Sequence, residues 1–142
     1  MANVIPYAFR GELFSGTHDF SSGGNTFKLA LYTSTPYDTS STIYVVTNEQ
    51  SSAGGSNYTA GGNDLGTNAV VSTTAVASCD FADSEWTAAT ISVAFGALYD
   101  ETASNKLCVI LDFSGTKTCT NGTFKVSFPS PATAADAIIS MA

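Results

Sequence analysis

The spacing of apolar residues changes once along this chain, from a helical period to a period of two near Thr26. Before that point, Pro6 to Asp19 is the one convincing helical segment. Phe9, Leu13 and Phe14 recur at i, i+4 and i+5, which places them on one face, while Arg10 and Glu12 point away. Pro6 suits a first helical position and Gly16 a C-terminal stop. Gly11 lowers helix propensity within the segment, so one or two turns docked on a larger body are expected. Phe9 and Phe14 admit two readings, a partner-facing surface or a stripe covering one end of a β core, and the second is favoured.

After Thr26 the pattern is that of strands. Phe27, Leu29 and Leu31 alternate with Lys28, Ala30 and Tyr32, the signature of a strand with one buried face. Ser34 to Asp38 reads as a turn around Pro36. Ile43 to Val46 is a second, β-branched strand, and Gln50 to Asn57 is a Ser/Gly-rich loop too short for a domain linker. Tyr58 to Leu65 holds a Gly-Gly corner. Ala69 to Ser72 and Val76 to Phe81 form a pair around Thr73-Thr74-Ala75, and Ala89 to Tyr99 is a longer strand followed by a polar loop from Asp100 to Asn105. Lys106 to Phe113 places Leu107, Val109, Leu111 and Phe113 on one face and Cys108, Ile110 and Asp112 on the other, which predicts a central strand covered twice. Asn121-Gly122 is a turn signal introducing a strand over Thr123 to Phe128. Pro129 and Pro131 break that strand, and Ala137 to Met141 is a short final one. About eight short strands with one helix predict an all-β domain, a single β-sandwich or jelly-roll-like unit over residues 1–142, with the helical segment (roughly 6–19) docked on it.

Composition narrows the function classes. The 142 residues are 44% hydrophobic, enough for a core, and only 12% charged, so Ser, Thr, Asn and Gly must carry solubility. Five basic residues against twelve acidic ones give a net charge of −7. With no basic run to neutralise phosphates, nucleic acid is the least expected partner, and an acidic chain is a poor binder of anionic membrane surfaces. No apolar stretch approaches the ~20 residues of a membrane helix. The N-terminus lacks a basic region followed by an apolar core of signal-peptide type, so a protein folded in a cytoplasm is expected. Cys79, Cys108 and Cys119 form no CxxC pair and read as small buried hydrophobes in a reducing compartment.

Chemistry-bearing residues are sparse. His18 is the only histidine. Beside Asp19, and without a serine or cysteine placed by sequence, it reads as a capping or surface residue. Asp80, Asp83 and Glu85 form the densest acidic group and Asp100-Glu101 the next. Asp80 to Glu85 has no glycine for a calcium loop and is interrupted by Phe81 and Ala82, so a solvated loop is expected there. Gly61-Gly62 lacks the lysine and helix N-terminus of a phosphate site, and its glycines are better explained by positive φ or close strand approach. Asn57-Tyr58-Thr59 and Asn121-Gly122-Thr123 match the glycosylation pattern, which has little meaning without secretion. Trp86 is either an exposed platform beside Asp83 and Glu85 or a plug in one end of the core, and its place before a strand favours the plug. No catalytic, metal or cofactor-binding residue is assigned.

One further pattern spans nearly the whole chain in order. It runs from Phe9-Arg10-Gly11-Glu12-Leu13-Phe14-Ser15-Gly16 and His18-Asp19-Phe20 through Phe27-Lys28-Leu29-Ala30-Leu31-Tyr32-Thr33-Ser34, Asn48-Glu49 and Tyr58-Thr59-Ala60-Gly61-Gly62. It continues through Trp86 to Thr90, Ala97 to Ala103 and Leu111-Asp112-Phe113, and ends with Gly122-Thr123-Phe124 and Phe128-Pro129. In these features the chain resembles the small virion structural proteins of tailed bacteriophages. The spacer between Glu49 and Tyr58 is longer than in that pattern, and the cysteines are not part of it. The resemblance implies a non-enzymatic component of the particle, assembled in the host cytoplasm. Its partners would be the major capsid protein or other virion proteins, and homo-oligomerisation is left open. Capsid decoration or cement on the outside of the head is the leading expectation, with Thr33 to Ser41, Gln50 to Asn57 or the N-terminal helix as contacts. A tail, neck or baseplate component is the alternative. A carbohydrate-binding module using Trp86 or Tyr58 is more remote, and an enzyme using His18 the weakest reading.

Overall fold

The computed structural model describes residues 2–73, 75–129 and 137–141. The fold is all-β and sandwich-like: two antiparallel sheets with one short helix near the N-terminus. The helix α1 is Tyr7–Phe14. The strands are β1 Phe27–Tyr32, β2 Asn63–Leu65, β3 Ala69–Ser72, β4 Ala77–Asp80, β5 Ser84–Asp100, β6 Lys106–Val126 and β7 Ile139–Met141. The larger sheet has the order β2-β1-β5-β6 and the smaller one β3-β4-β7. Pro131 and Thr74, expected to lie at a break and in a turn, fall outside the described residues.

The main core lies between the sheets. Phe27, Leu29 and Leu31 of β1, Ile91, Val93 and Leu98 of β5, and Val109 and Leu111 of β6 meet Phe9 of α1, Phe20, Phe81 and Ile139 of β7. Phe20 stacks on Phe27 with ring centroids 4.5 Å apart, and Phe81 meets both edge-on. Contrary to the one-face expectation, β1 is buried on both sides. Ala30 and Tyr32 join Tyr37, Ala97, Tyr99, Leu107 and Ile110 in a second apolar cluster on the opposite face of the larger sheet. The chain between β1 and β2 folds back over that face: the segment Thr33 to Ser41 is exposed at Thr33, Ser34 and Asp38 to Ser40, as expected of a loop, but inserts Tyr37 as a buried residue.

Ile43 to Val46 is not a strand. Ile43 makes a single bridge to Lys106, and Val45 turns its backbone toward side chains. The Val45 N–H donates to Tyr37 Oη at 3.0 Å, and its carbonyl accepts from Tyr32 Oη at 2.8 Å. Two buried hydroxyls thus take the place that a neighbouring strand would have filled.

The expected strands Lys106 to Phe113 and Thr123 to Phe128 are parts of one strand, paired with β5 over its whole length. Asn121-Gly122 does not turn the chain. A tight hairpin turn of this type needs positive φ at both residues, and here only Asn121 has it, at 47°. The register shifts between Ala89 and Ile91 at this point, so the Asn-Gly pair makes a bulge. Ala88 (φ 48°), Ser114 (φ 56°) and Gly115 (φ 105°) lie in further irregular steps of the same ladder. A shift between Leu98 and Tyr99 also rotates the start of β6. Leu107 joins Ile110 in the second cluster, while Cys108 and Val109 both enter the main core. Over Leu107 to Leu111 β6 is therefore covered on both faces, as expected, yet it is an edge strand and not a central one. Among the described residues no further strand pairs with its outer side, which takes isolated bridges from Val4 and Ile43 and a bond from the Asp112 N–H to Asn3 Oδ1.

Candidate functional site

Four charged side chains converge where α1 meets the β5–β6 turn. His18 follows α1 and is buried, with its side chain fully shielded from solvent. Its Nδ1 lies 2.8 Å from Asp100 Oδ2 and its Nε2 lies 3.0 Å from Glu12 Oε2. Lys106 completes the group by pairing with Glu12 Oε1. Asp100, at the end of β5, also accepts from Asn25 Nδ2 at 2.7 Å and from the Ala103 N–H at 3.0 Å. Three sequence readings are corrected here. His18 is not a surface cap, Glu12 does not point away from the body, and Asp100 is a buried residue at the end of β5 and not the start of the polar loop. Helical spacing could not show this, because each partner comes from a different element.

The electrostatics follow from this geometry. Burial alone would lower the His18 pKa, but hydrogen bonds to Asp100 and Glu12 outweigh it and hold the pKa above the ordinary histidine value. Burial likewise works to raise Glu12 and Asp100. Glu12 is nevertheless held below the usual carboxylate range by Lys106 and His18, and Asp100 by His18, Asn25 and the Ala103 N–H. Both ring nitrogens face carboxylates, so His18 has no nitrogen left to take a proton from a serine or cysteine. The two acids flank the ring on opposite sides instead of converging on one point, and among the described residues no cluster of metal-ligating side chains forms. The arrangement is a clamp that fastens α1 to the end of the β5–β6 hairpin.

A second polar junction explains the Gly-Gly corner. Glu49 Oε1 accepts from Tyr58 Oη at 2.6 Å and from the Gly61 N–H at 2.7 Å, and Oε2 accepts from Tyr44 Oη at 2.6 Å. Tyr99 Oη donates to the Gly61 carbonyl. Gly62 has φ 75°, and a Cβ there would lie 1.8 Å from the Leu29 carbonyl oxygen. The corner is thus a close approach of backbone to β1, as its glycines suggested, and the amide that a phosphate would need is held by a carboxylate.

The remaining candidates sort by exposure. Trp86 and Tyr58 are both buried, which confirms the plug reading of Trp86 and removes the two rings from any exposed glycan platform. Asp83 pairs with Lys125 Nζ at 2.9 Å and accepts the Phe128 N–H, while Asp80 and Glu85 lie on β4 and β5. The thiols are free. Cys108 is buried and Cys79 and Cys119 are half-buried, with burial pushing Cys79 up to about 11. No described helix is long and apolar enough to cross a membrane.

What stands out on the surface is apolar. Phe14, expected on the inner face of α1, is 93% exposed, and Tyr7 is 61% exposed. Only Phe9 of the helix is fully buried, with Leu13 packed against the core. Tyr7, Arg10 and Phe14 stand at i, i+3 and i+7, a solvent-facing stripe whose spacing was legible but was read from its inner neighbours. The Arg10 guanidinium lies over the Tyr7 ring, 5.4 Å from its centre. Beside this stripe a groove of about 260 Å³ runs between α1 and β7, walled by Ile5, Phe9, Leu13, Phe14, Ile139 and Met141. It adjoins a smaller hollow of about 140 Å³ in which Leu13, Ile139 and Met141 meet Val70 and Cys79. Met141 and Val70 are each more than half exposed. Within the loop Gln50 to Asn57, Ser51 to Gly55 and Asn57 are exposed, as expected, whereas Ser56 is buried.

Comparisons with protein-family models, with curated proteins and with solved structures return no match to this chain.

Proposed function

We propose that this protein is a non-enzymatic structural component of a tailed-bacteriophage particle, and within that class a decoration or cement protein bound to the outside of the head. The observation that carries the reading is the apolar pole formed by Phe14, Leu13, Val70 and Met141 on a body whose other chemistry is turned inward. Contiguous exposed apolar surface marks a place where another protein docks. His18, Glu12, Asp100 and Glu49 are consumed in fastening the fold, which leaves the pole as the feature with work to do outside it. The chain-long resemblance to virion structural proteins supplies the kind of assembly.

In this role the mechanism is binding energy alone. Contacts spanning neighbouring shell subunits raise the free energy needed to separate them, because a ligand of the assembled state stabilises that state. The test is to add the purified protein to shells lacking it, image the particles and measure their thermal rupture. Density over the head with a higher rupture temperature is expected. Density confined to the tail, neck or baseplate would move the protein to that part of the particle, and no density anywhere would remove it from the virion.

A further inference from the structure

The groove between α1 and β7 has features beyond its apolarity. Ile139, Ser140 and Met141 are consecutive on β7, so their side chains alternate between the two faces of the strand, yet all three line the groove. It therefore runs along the free edge of β7, which among the described residues pairs with β4 on one side only. An unpaired strand edge offers main-chain donors and acceptors. Across from it, Arg10 is the one charged residue in the wall. Lys28, Lys106 and Lys125 each have a carboxylate within 4.0 Å, whereas among the described residues none lies that close to Arg10 or to Lys117, and of these two Arg10 alone borders the groove. Among the described residues the Arg10 guanidinium donates to the Ile5 carbonyl alone, at 3.3 Å, and rests on Tyr7.

We propose that this groove receives an extended segment of another protein, which adds along the β7 edge, buries an apolar side chain against Leu13 and Phe14, and sets a carboxylate on Arg10. The inference rests on the docking role proposed above and names the chemistry of the partner. Main-chain pairing supplies affinity and alternate side chains supply specificity, as in other strand-addition complexes. An arginine fork and a carboxylate form the strong, directional pair that fixes register. A second copy fits poorly. Each copy carries a net charge of −7, and a two-fold contact through this groove would bring two Arg10 side chains together.

The test needs no virus particle. A yeast-displayed library of random ten-residue peptides is selected on the full-length protein, and enriched peptides are measured against Arg10→Glu and Phe14→Ser. Both positions are exposed, and unchanged melting of the variants establishes that they fold. Enriched peptides should combine alternating apolar residues with Asp or Glu and lose about tenfold or more in affinity on R10E. Enrichment without acidic residues, binding indifferent to R10E, or no enrichment at all would each overturn the proposal. So would concentration-dependent dimerisation abolished by F14S, which would assign the groove to a second copy. Shells that bind wild type and R10E equally would leave the head role standing while this inference fails. Peptide binding with no binding to shells would do the reverse.

Discussion

Replacing His18 with leucine keeps most of the side-chain volume while removing a cation from between two carboxylates. Asp100 and the His18 side chain are both fully buried, so the loss cannot be made good by water. Breaking a buried pair by removing one partner costs about 3–5 kcal/mol. Asp100 keeps Asn25 and the Ala103 N–H, and Glu12 keeps Lys106, which puts the expected loss near the lower bound, about 3 kcal/mol. In urea this lowers the unfolding midpoint by roughly 1–3 M. The pH profile separates a charged clamp from simple packing. His18 has a raised pKa in the fold, so its contribution is complete below the unfolded value of about 6.5 and is lost as pH rises through the higher folded value. Glu12 and Asp100 have depressed values, so theirs is complete above about 4 and is lost as pH falls through the lower folded values. Wild type should therefore show a plateau between about pH 4 and pH 6.5 that declines on both sides, and H18L should lack the alkaline decline. Urea titrations of both proteins from about pH 2 to about pH 9, a span that takes in both declines, are the assay. An H18L protein within about 0.5 kcal/mol of wild type, or one with the same alkaline decline, would refute the reasoning.

Three other substitutions probe the remaining junctions. Glu49→Ala strips the acceptor from Tyr44, Tyr58 and the Gly61 N–H and should cost about 3 kcal/mol in urea unfolding. Glu49→Gln should recover part of that, and equal losses would contradict the assignment. Gly62→Ala drives a methyl group into the backbone of β1 at positive φ, so little folded protein is expected by melting or expression. Gly66→Ala, with nothing within 4 Å, serves as the neutral control. Trp86 Nε1 is buried with no hydrogen-bond partner among the described residues, so Trp86→Phe should stay within about 1 kcal/mol of wild type by thermal unfolding. Trp86→Ala should lose about 3–5 kcal/mol, and similar losses in the two variants would mean that the indole N–H is satisfied after all.

The alternation of Phe27 to Tyr32 and of Lys106 to Phe113 gave the strands and the all-β class directly, because sheet burial repeats every two residues. Gly61-Gly62 and Gly16 were legible for a similar local reason: φ freedom shows in the residue type. What could not be read is long-range. Nothing near Ile43 in sequence shows that Tyr32 and Tyr37 would occupy the backbone of Val45. Asn121-Gly122 carries the same φ freedom whether it makes a turn or a bulge, and only the partner strand decides. The clamp joins residues 12, 18, 100 and 106, so each member read alone looked like an ordinary surface group. The exposed stripe at Tyr7, Arg10 and Phe14 was present in the spacing, but Phe14 was assigned to Phe9 and Leu13 at a separation of five residues that a helix turns away.

The strand order also constrains how the chain can be made. β1 is the apolar middle of the larger sheet, but its partner β5 begins at Ser84, so Phe27 meets Asp100 only after most of the chain exists. The β5–β6 hairpin, by contrast, closes across a turn of residues 101–105 and can form from local contacts. During vectorial synthesis the ribosome therefore releases β1 with only the three residues of β2 to pair with, an apolar edge that waits for its neighbour. A nascent chain ending at residue 83 should aggregate or be held by a chaperone. One extended through Val126 should become protease-resistant as β5 reaches its place between β1 and β6.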